Sequence, residues 1–310
     1  MKKLILSLKD VYFEEINFDF KDFNFSFPLK TEYFINLISS EKPFYPPILY
    51  ETEKNYLIVD GLARISALKH LGEEPFKALI LEAPLPFKEL LLISLELNLQ
   101  RNLNLVEKAY FLVKAEKYFS KEELLHLLPR LGFSKNQNWF FYLKNILLLE
   151  DPFKVLIASE KLNPKIVESL IELTPEERSL FLKLIEKLNL SFNEQREILE
   201  TLRDYKKLTN QKWLFPPEME KALEIEDFNQ RKKVVFETLY QLRYPNYFSK
   251  KKIIEKIRSL FSAYGINFDV PPYLEKKEVT LQFKVKDIED LKKILKILEN
   301  EGEKLFSLFE

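Results

Sequence analysis

Cysteine is absent from this sequence of 310 residues, and histidine occurs only twice, at His70 and His126. Without cysteine the chain has no disulfide, thiolate nucleophile, iron–sulfur cluster or cysteine zinc site. The two histidines lie far apart in the sequence, which also excludes the HExxH motif of zinc proteases. We therefore predict no metal site.

Glycine is scarce as well, with five residues at positions 61, 72, 132, 265 and 302. These spacings exclude GxGxxG, GxxxxGK[ST] and GxSxG, and with them Rossmann, P-loop and α/β-hydrolase chemistry. No segment reaches the roughly 18 apolar residues of a membrane span, and the apolar N-terminal stretch is too short for a secretion signal. We expect a cytoplasmic protein with no membrane partner.

The residues that are present describe a folded chain with balanced charge. Apolar residues make up 46% of the sequence and aromatic residues 14%, which is enough for a packed core. The 48 Lys and Arg residues equal the 48 Asp and Glu residues in number, so binding to nucleic acid would need a local basic patch. We predict an α+β fold with a small α+β domain at 1–86, a helical domain with a helix-turn-helix at 87–205, and a helical C-terminal module with one or two strands at 206–310.

Short apolar runs broken by prolines make up the first segment, a pattern typical of strands and turns. Ile48–Tyr50 and Tyr56–Val59 predict a hairpin, and Phe76–Leu81 predicts a further strand. Between them, Ile65–Leu71 predicts a helix that Gly72 ends.

The second segment has helical periodicity, and capping boxes mark where its helices begin. The predicted pairs are Asn104 with Glu107, Ser120 with Glu123, Ser134 with Gln137, Thr174 with Glu177, and Ser191 with Glu194. These signals predict a stack of short helices.

In the third segment, the break Leu214–Pro217 is followed by helical patterns and then by one strand. The alternation of apolar and polar residues over 279–285 predicts that strand, whose partner lies in the same chain or in a second subunit. Because an unpaired strand edge favours association, we predict a homodimer. Asp287 with Asp290 predicts the start of a last helix.

Two motifs carry a resemblance to a known family. The run from Val59 to Gly72 reads VDGLARISALKHLG, and the run from Asn98 to Ala109 reads NLQRNLNLVEKA. The first resembles the phosphate-binding box of the ParB and sulfiredoxin superfamily, and the second resembles a segment downstream of that box in ParB partition proteins. The resemblance implies a role in chromosome or plasmid partition and a nucleotide or phosphate site made by Asp60, Gly61, Arg64, Asn98 and Arg101.

The first motif also suits an anion on physical grounds. A glycine between a strand and a helix lets backbone amides approach an oxyanion, and an arginine offers a two-pronged donor. The motif departs from the family pattern, because Leu62-Ala63 stands in place of Glu-Arg and Leu97 in place of a glutamate. Each lost charge-assisted contact costs about 1.5 to 3 kcal/mol. We therefore expect no bound cofactor, with CTP at most a weak ligand, and the absence of cysteine excludes sulfiredoxin activity.

A helix-turn-helix is predicted at 121–149, with Pro129–Phe133 as its turn and a second helix from Ser134 to Leu149. Residues at the start of the second helix of this motif read base edges in the major groove. We assign this role to Ser134, Lys135, Asn136, Gln137 and Asn138. A surplus of basic residues at 228–260 is expected to hold backbone phosphates through Lys250, Lys251 and Lys252.

Three functions fit these features. The leading interpretation is a non-catalytic, ParB-like protein that binds double-stranded DNA and has a degenerate nucleotide pocket, with no catalytic residue assigned. The second is a small-molecule kinase or CTPase that works in the same pocket. The third is a protein-interaction scaffold in which neither site is active.

Overall fold

The computed structural model of the protein describes residues 6–82, 84–210, 215–274 and 276–309. The chain divides into two compact units. The first unit is Met1–Arg178 with Ser191–Gln195, and the second is Ser179–Leu190 with Arg196–Glu310. The domain boundaries predicted at residues 86 and 205 stay predictions, and Leu214 of the predicted break lies outside the described residues.

A four-stranded mixed sheet begins the first unit. Its strands are β1 (Leu6–Val11), β2 (Ile48–Glu51), β3 (Tyr56–Asp60) and β4 (Phe76–Leu81), in the spatial order β1-β4-β2-β3. β1 pairs antiparallel with β4, and β2 pairs antiparallel with β3. The two central strands, β4 and β2, run parallel to each other. The predicted hairpin of β2 and β3 and the predicted strand β4 are therefore confirmed.

Two helices accompany this sheet, α1 (Thr31–Ser39) and α2 (Leu62–Leu71). Gly72 takes the left-handed conformation that ends α2, as its position in the sequence predicts. The core between the sheet and α2 is closed by fully buried side chains, among them Val11, Leu49, Ile58, Ile65 and Ile80.

Short helices make up the rest of the first unit. They are α3 (Phe87–Leu99), α4 (Leu105–Ala115), α5 (Lys121–Leu127), α6 (Asn138–Leu148), α7 (Asp151–Ala158) and α8 (Val167–Ile171). The predicted capping boxes at Asn104 and Ser120 are present, with each cap oxygen accepting the N3 amide and each N3 glutamate accepting the cap amide. Two further helices, α9 (Pro175–Leu188) and α10 (Phe192–Thr209), begin in the first unit at the boxes predicted for Thr174 and Ser191, and most of their residues belong to the second unit.

The second unit continues with α11 (Pro217–Ala222), α12 (Phe228–Arg243) and α13 (Pro245–Ser262). A two-stranded antiparallel sheet of β5 (Asn267–Asp269) and β6 (Thr280–Gln282) follows, and then α14 (Ile288–Phe306). Its core includes Ile254, Ile257, Phe261, Ile266, Phe268 and Ile294. The predicted start of α14 is confirmed, because Asp287 Oδ1 accepts the Asp290 amide at 2.8 Å.

The strand predicted over 279–285 is shorter than expected. Only Thr280–Gln282 forms β6, and its partner β5 comes from the same chain. Phe283 and Val285 lie beyond the strand and are 37% and 45% exposed, so they have no packed face to hold them in the sheet. The partner of this strand therefore lies in the same chain, and the homodimer stays a prediction.

The fold class is α+β, as predicted: a mixed four-stranded sheet with helices, then a mostly helical region, then a C-terminal two-stranded sheet. Among the described residues, no helix is long and apolar enough to cross a membrane.

Candidate functional site

The turn between β3 and α2 is built around Gly61. Its φ of +95° is a left-handed conformation that suits glycine. A Cβ atom placed on Gly61 would lie 2.8 Å from Arg64 Nη2 and 2.9 Å from the Cβ of Pro47. Because both distances are shorter than ordinary packing allows, the Arg64 guanidinium lies directly against the glycine backbone.

Arg64 is held there by oxygen atoms of its own chain. Its Nη2 donates to Asp60 Oδ2 at 2.5 Å, and its Nη1 donates to the carbonyl oxygens of Tyr45 at 2.6 Å and Pro46 at 3.2 Å. The Arg64 side chain is only 12% exposed. The guanidinium that the sequence assigns to a phosphate is therefore already paired with a carboxylate.

Asn98 links this pair to the second predicted arginine. The Asn98 side chain is buried; its Nδ2 donates to Asp60 Oδ1 at 3.3 Å and to the Ser94 carbonyl oxygen at 2.9 Å. Its Oδ1 accepts a hydrogen bond from Arg101 Nε at 2.9 Å. A continuous polar network thus runs from Arg64 through Asp60 and Asn98 to Arg101.

Arg101 ends that network in a two-pronged ion pair with Glu107. The Nη1–Oε2 and Nη2–Oε1 distances are 3.0 and 2.8 Å, and the Glu107 side chain is only 3% exposed. Glu107 also accepts the backbone amides of Phe27 and Asn104. The sequence predicts Glu107 only as part of the Asn104 capping box and of the second motif, and no local spacing rule predicts its pair with Arg101.

The five predicted pocket residues all line a cavity of about 550 Å³, a volume within the usual range for small-molecule sites. Tyr33 and Tyr45 stand at the cavity with 59% and 86% of their surface exposed. The other apolar lining residues are Pro28, Phe34, Leu37, Pro43, Phe44, Leu62, Ala63 and Leu97. The lining of the cavity therefore combines aromatic and apolar side chains with charged and polar ones.

The charges around the cavity nearly cancel. Lys30, Arg64 and Arg101 give three positive charges and Asp60 and Glu107 two negative charges, a net of +1. Within the described part of the chain, no carboxylate lies within ion-pair distance of Lys30, and no group of three His, Cys, Asp or Glu residues could hold a metal ion. A triphosphate in this cavity would therefore compete with Asp60 for Arg64 and with Glu107 for Arg101.

The second helix of the predicted helix-turn-helix begins at Asn138, four residues later than expected. Ser134 does not cap it; Ser134 Oγ accepts a hydrogen bond from Trp139 Nε1 at 3.1 Å instead. Asn136 Oδ1 accepts the Asn138 amide at 2.9 Å, so a local asparagine turn competes successfully with the longer helix. The prediction of a helix from Ser134 is therefore wrong, and four of the five assigned residues precede α6.

The residues Ser134–Asn138, called segment 134–138 below, are nevertheless all exposed. The sequence contains no Asp or Glu between Leu128 and Leu149, so no carboxylate of that stretch would repel a phosphate. Lys135 Nζ lies 3.1 Å from His126 Nδ1 on α5. The segment therefore presents amide, hydroxyl and ammonium groups to solvent.

Comparison with known proteins gives a partial resemblance. No family model matches the chain, and no curated protein matches it. Two similar solved structures are of the C-terminally truncated chromosome-partitioning protein ParB from Caulobacter crescentus, one complexed to the centromeric parS site and one complexed with CTP-γ-S. The first is 19% identical, covering 60% of this chain and 96% of that chain with a TM-score of 0.33. The second is 22% identical, and the match covers 58% of this chain and 99% of that chain with a TM-score of 0.26. At such low scores, neither structure carries a conclusion about the ligands of this chain.

The structure places the three predicted phosphate-holding lysines in different surroundings on α13. Lys250 is half-buried, and its Nζ donates to the carbonyl oxygen of Leu308 at 2.8 Å. Lys251 and Lys252 are exposed. The latter two are therefore better placed than Lys250 to meet a phosphate from solvent.

Proposed function

We propose that this chain is a non-catalytic, ParB-like DNA-binding protein that contacts double-stranded DNA through segment 134–138. The observation that carries the proposal is an exposed, carboxylate-free group of polar side chains at the start of a packed helix. Asparagine and glutamine can bond adenine edges in the major groove, and lysine can bond guanine or a phosphate.

The helix behind the segment supports this use. Leu143 and Ile146 of α6 are fully buried, and α6 packs against α4 and α8. Its N-terminal end carries partial positive charge, which favours a nearby phosphate. A packed helix directly after segment 134–138 fixes where these polar groups stand relative to the rest of the first unit.

The cavity supports a degenerate nucleotide pocket rather than an active enzyme. Arg64 and Arg101 are each paired with a carboxylate, so a nucleotide gains little from either arginine without breaking a pair. The alternative function, a small-molecule kinase or CTPase, needs those charges for the transferred phosphate. We therefore propose weak CTP binding and negligible turnover.

A homodimer remains part of the proposal, now supported by α14. Ile288, Leu291 and Leu295 follow helical spacing and are 71%, 37% and 48% exposed, so they form an apolar stripe on the helix surface. A second copy of the same stripe would cover it in a symmetric contact. Two copies of segment 134–138 would then meet two half-sites of a palindromic DNA sequence.

Duplex binding by single variants tests the assignment of segment 134–138. Asn136→Ala or Gln137→Ala should cost about 1 to 3 kcal/mol on the preferred sequence and little on random duplex. Lys251→Gln with Lys252→Gln should weaken all duplexes alike and reduce the salt dependence by about one log unit per lost phosphate contact. Fluorescence anisotropy with both duplexes at two salt concentrations measures the difference.

Asn145→Ala provides the matched control, since Asn145 lies on α6 outside the segment. Its affinity should equal that of the unaltered protein. Equal losses for Asn136→Ala on both duplexes would contradict base reading, and no loss at all would remove the segment from the interface.

A further inference from the structure

Helix α1 supplies apolar and aromatic side chains to the cavity beside the Gly61 turn. Five of its nine residues are apolar or aromatic, yet none of the nine is buried. Tyr33, Phe34 and Leu37 line the cavity, and their spacing places them on one side of the helix. This side of α1 therefore leaves apolar surface in contact with water unless a ligand covers it.

Three further lining positions are apolar where the family pattern has charged residues. Leu62-Ala63 stands in place of Glu-Arg, and Leu97 stands in place of a glutamate. All three residues line the cavity and are half-buried. Because half-buried apolar side chains gain free energy when they are covered, these positions favour a ligand with an apolar body.

The rings of Tyr33 and Tyr45 are accessible at the cavity. Tyr33 contacts the Phe34 ring at a centroid distance of 5.1 Å. Among the residues that the structure describes, no Lys or Arg lies over the ring of Tyr33 or Tyr45. An apolar or aromatic body can therefore pack against both rings without displacing a cation.

Lys30 carries the positive charge of the cavity that has no carboxylate beside it in the described part of the chain. Arg64 is paired with Asp60, and Arg101 is paired with Glu107. Lys30 is exposed and directly precedes α1. One anionic group would balance its charge, whereas a second anionic group would compete with a carboxylate for one of the paired arginines.

We propose that the cavity binds a small amphipathic monoanion, a molecule with an apolar or aromatic body and one carboxylate. The body covers the apolar side of α1 and the side chains of Leu62 and Leu97, and the carboxylate pairs with Lys30. Burial of apolar surface supplies most of the affinity, because an exposed ion pair contributes little. The inference deepens the proposed degenerate pocket and rests on its paired arginines, which disfavour a polyanion but not a ligand with a single charge.

Titration calorimetry of the full chain with four ligands tests the proposal. Naphthylacetate has an aromatic body, decanoate has an aliphatic body, naphthylacetamide lacks the charge, and CTP carries several charges. Both carboxylates should bind with dissociation constants below about 1 mM, a modest affinity for ligands of about 12 to 14 non-hydrogen atoms. Naphthylacetamide should bind about fivefold more weakly than naphthylacetate, because it cannot pair with Lys30.

Variants of two exposed residues assign the binding to the cavity. Lys30→Gln should weaken naphthylacetate binding about fivefold and leave naphthylacetamide binding unchanged, since only the charged ligand pairs with Lys30. Tyr33→Ala should weaken the binding of both naphthyl ligands about tenfold, because both pack against the ring. Lys42→Gln and Tyr12→Ala are the matched controls, since both residues are exposed in the same unit and lie outside the cavity. These controls should leave both affinities unchanged.

The outcomes separate this inference from the proposed function. Weak CTP binding with neither carboxylate bound, or carboxylate binding that Lys30→Gln and Tyr33→Ala leave unchanged, would overturn this inference alone. Sub-micromolar CTP binding would overturn the degenerate pocket and this inference with it. Duplex binding by segment 134–138 is measured separately and is not affected by either result.

Discussion

Arg64 and Asp60 form an ion pair at 2.5 Å directly beside the glycine that follows β3. The pair is i,i+4 in sequence, and both side chains are mostly buried, with 12% and 23% of their surface exposed. An anion that approaches the Gly61 turn must therefore compete with Asp60 for the same guanidinium. This competition is the basis of the proposal that phosphate binds weakly at a turn that resembles a phosphate-binding box.

Asp60→Asn should convert the turn into a better anion site. The substitution keeps an oxygen to accept from Asn98 but removes the negative charge, which releases Arg64 for an external phosphate. Because a hydrogen bond to a charged group contributes about 1.5 to 3 kcal/mol, phosphate and CTP should bind about tenfold more tightly. Titration calorimetry with both ligands measures this.

The control for that experiment is Asp10→Asn, which removes the carboxylate of an exposed pair with Lys77 on the sheet. Its anion affinity should match that of the unaltered protein. Unchanged or weaker anion binding by Asp60→Asn would show that Arg64 does not face a ligand.

Glu107→Ala should destabilise the first unit. The buried carboxylate binds Arg101 and two backbone amides, so its loss leaves those donors unmatched. Removing one partner of a fully buried pair costs about 3 to 5 kcal/mol, but the 39% exposure of Arg101 reduces this to about 2 to 3 kcal/mol. Urea unfolding of Glu107→Ala beside Glu53→Ala, an exposed loop position, measures the difference. Equal free energies of unfolding would contradict this role.

Local signals were sufficient to predict much of this fold. The β2–β3 hairpin, the end of α2 at Gly72 and the caps of α4 and α5 each depend on residues within one short window. Strand β1 was not predicted. Its apolar residues Leu6 and Leu8 lie on the exposed face of the strand, at 47% and 56% exposure, so its sequence does not show the usual alternation of apolar residues toward the core. Helix α1 was not predicted either, and none of its residues is buried.

Pairing between distant side chains could not be predicted in the same way. The two motifs brought the five pocket residues to one cavity, but they did not show that each arginine is matched by a carboxylate. The predicted start of α6 was wrong for a related reason, since Ser134 and Asn136 can both cap a helix. Ser134 Oγ instead accepts a hydrogen bond from the Trp139 ring, and Asn136 Oδ1 accepts the Asn138 amide. Which of two possible hydrogen bonds forms depends on how side chains pack in three dimensions, and a short stretch of sequence does not contain that information.

Glu150→Gln should change stability in a pH-dependent way. Hydrogen bonds from Arg178 hold the pKa of Glu150 below its ordinary value of 4.5. A depressed folded-state pKa stabilises the fold above the unfolded-state pKa, and the effect is lost as the pH falls through the folded-state value. The variant should lose about 0.5 kcal/mol at pH 7, because Glu150 is 45% exposed, and progressively less below pH 4.5. Denaturant unfolding across that range checks this; a loss independent of pH would contradict it.

Self-association should depend on the apolar stripe of α14. Leu291→Lys with Leu295→Lys places two charges on an exposed face and should leave the fold intact while it converts the dimer to a monomer. Lys296→Gln, a neighbouring exposed position, should leave the dimer unchanged. Light scattering over a range of concentrations gives the masses. A monomeric unaltered protein, or a dimeric double variant, would contradict the proposed interface.

Enrichment of genomic DNA fragments by the full-length protein at low and moderate salt tests the central claim most directly. We expect one sequence class to be retained at both salt concentrations. Asn136→Ala with Gln137→Ala should abolish this selection, while weak general binding at low salt persists. No sequence preference, with no affinity for any duplex tighter than about 100 µM at low salt, would contradict the account and favour a protein-interaction scaffold instead.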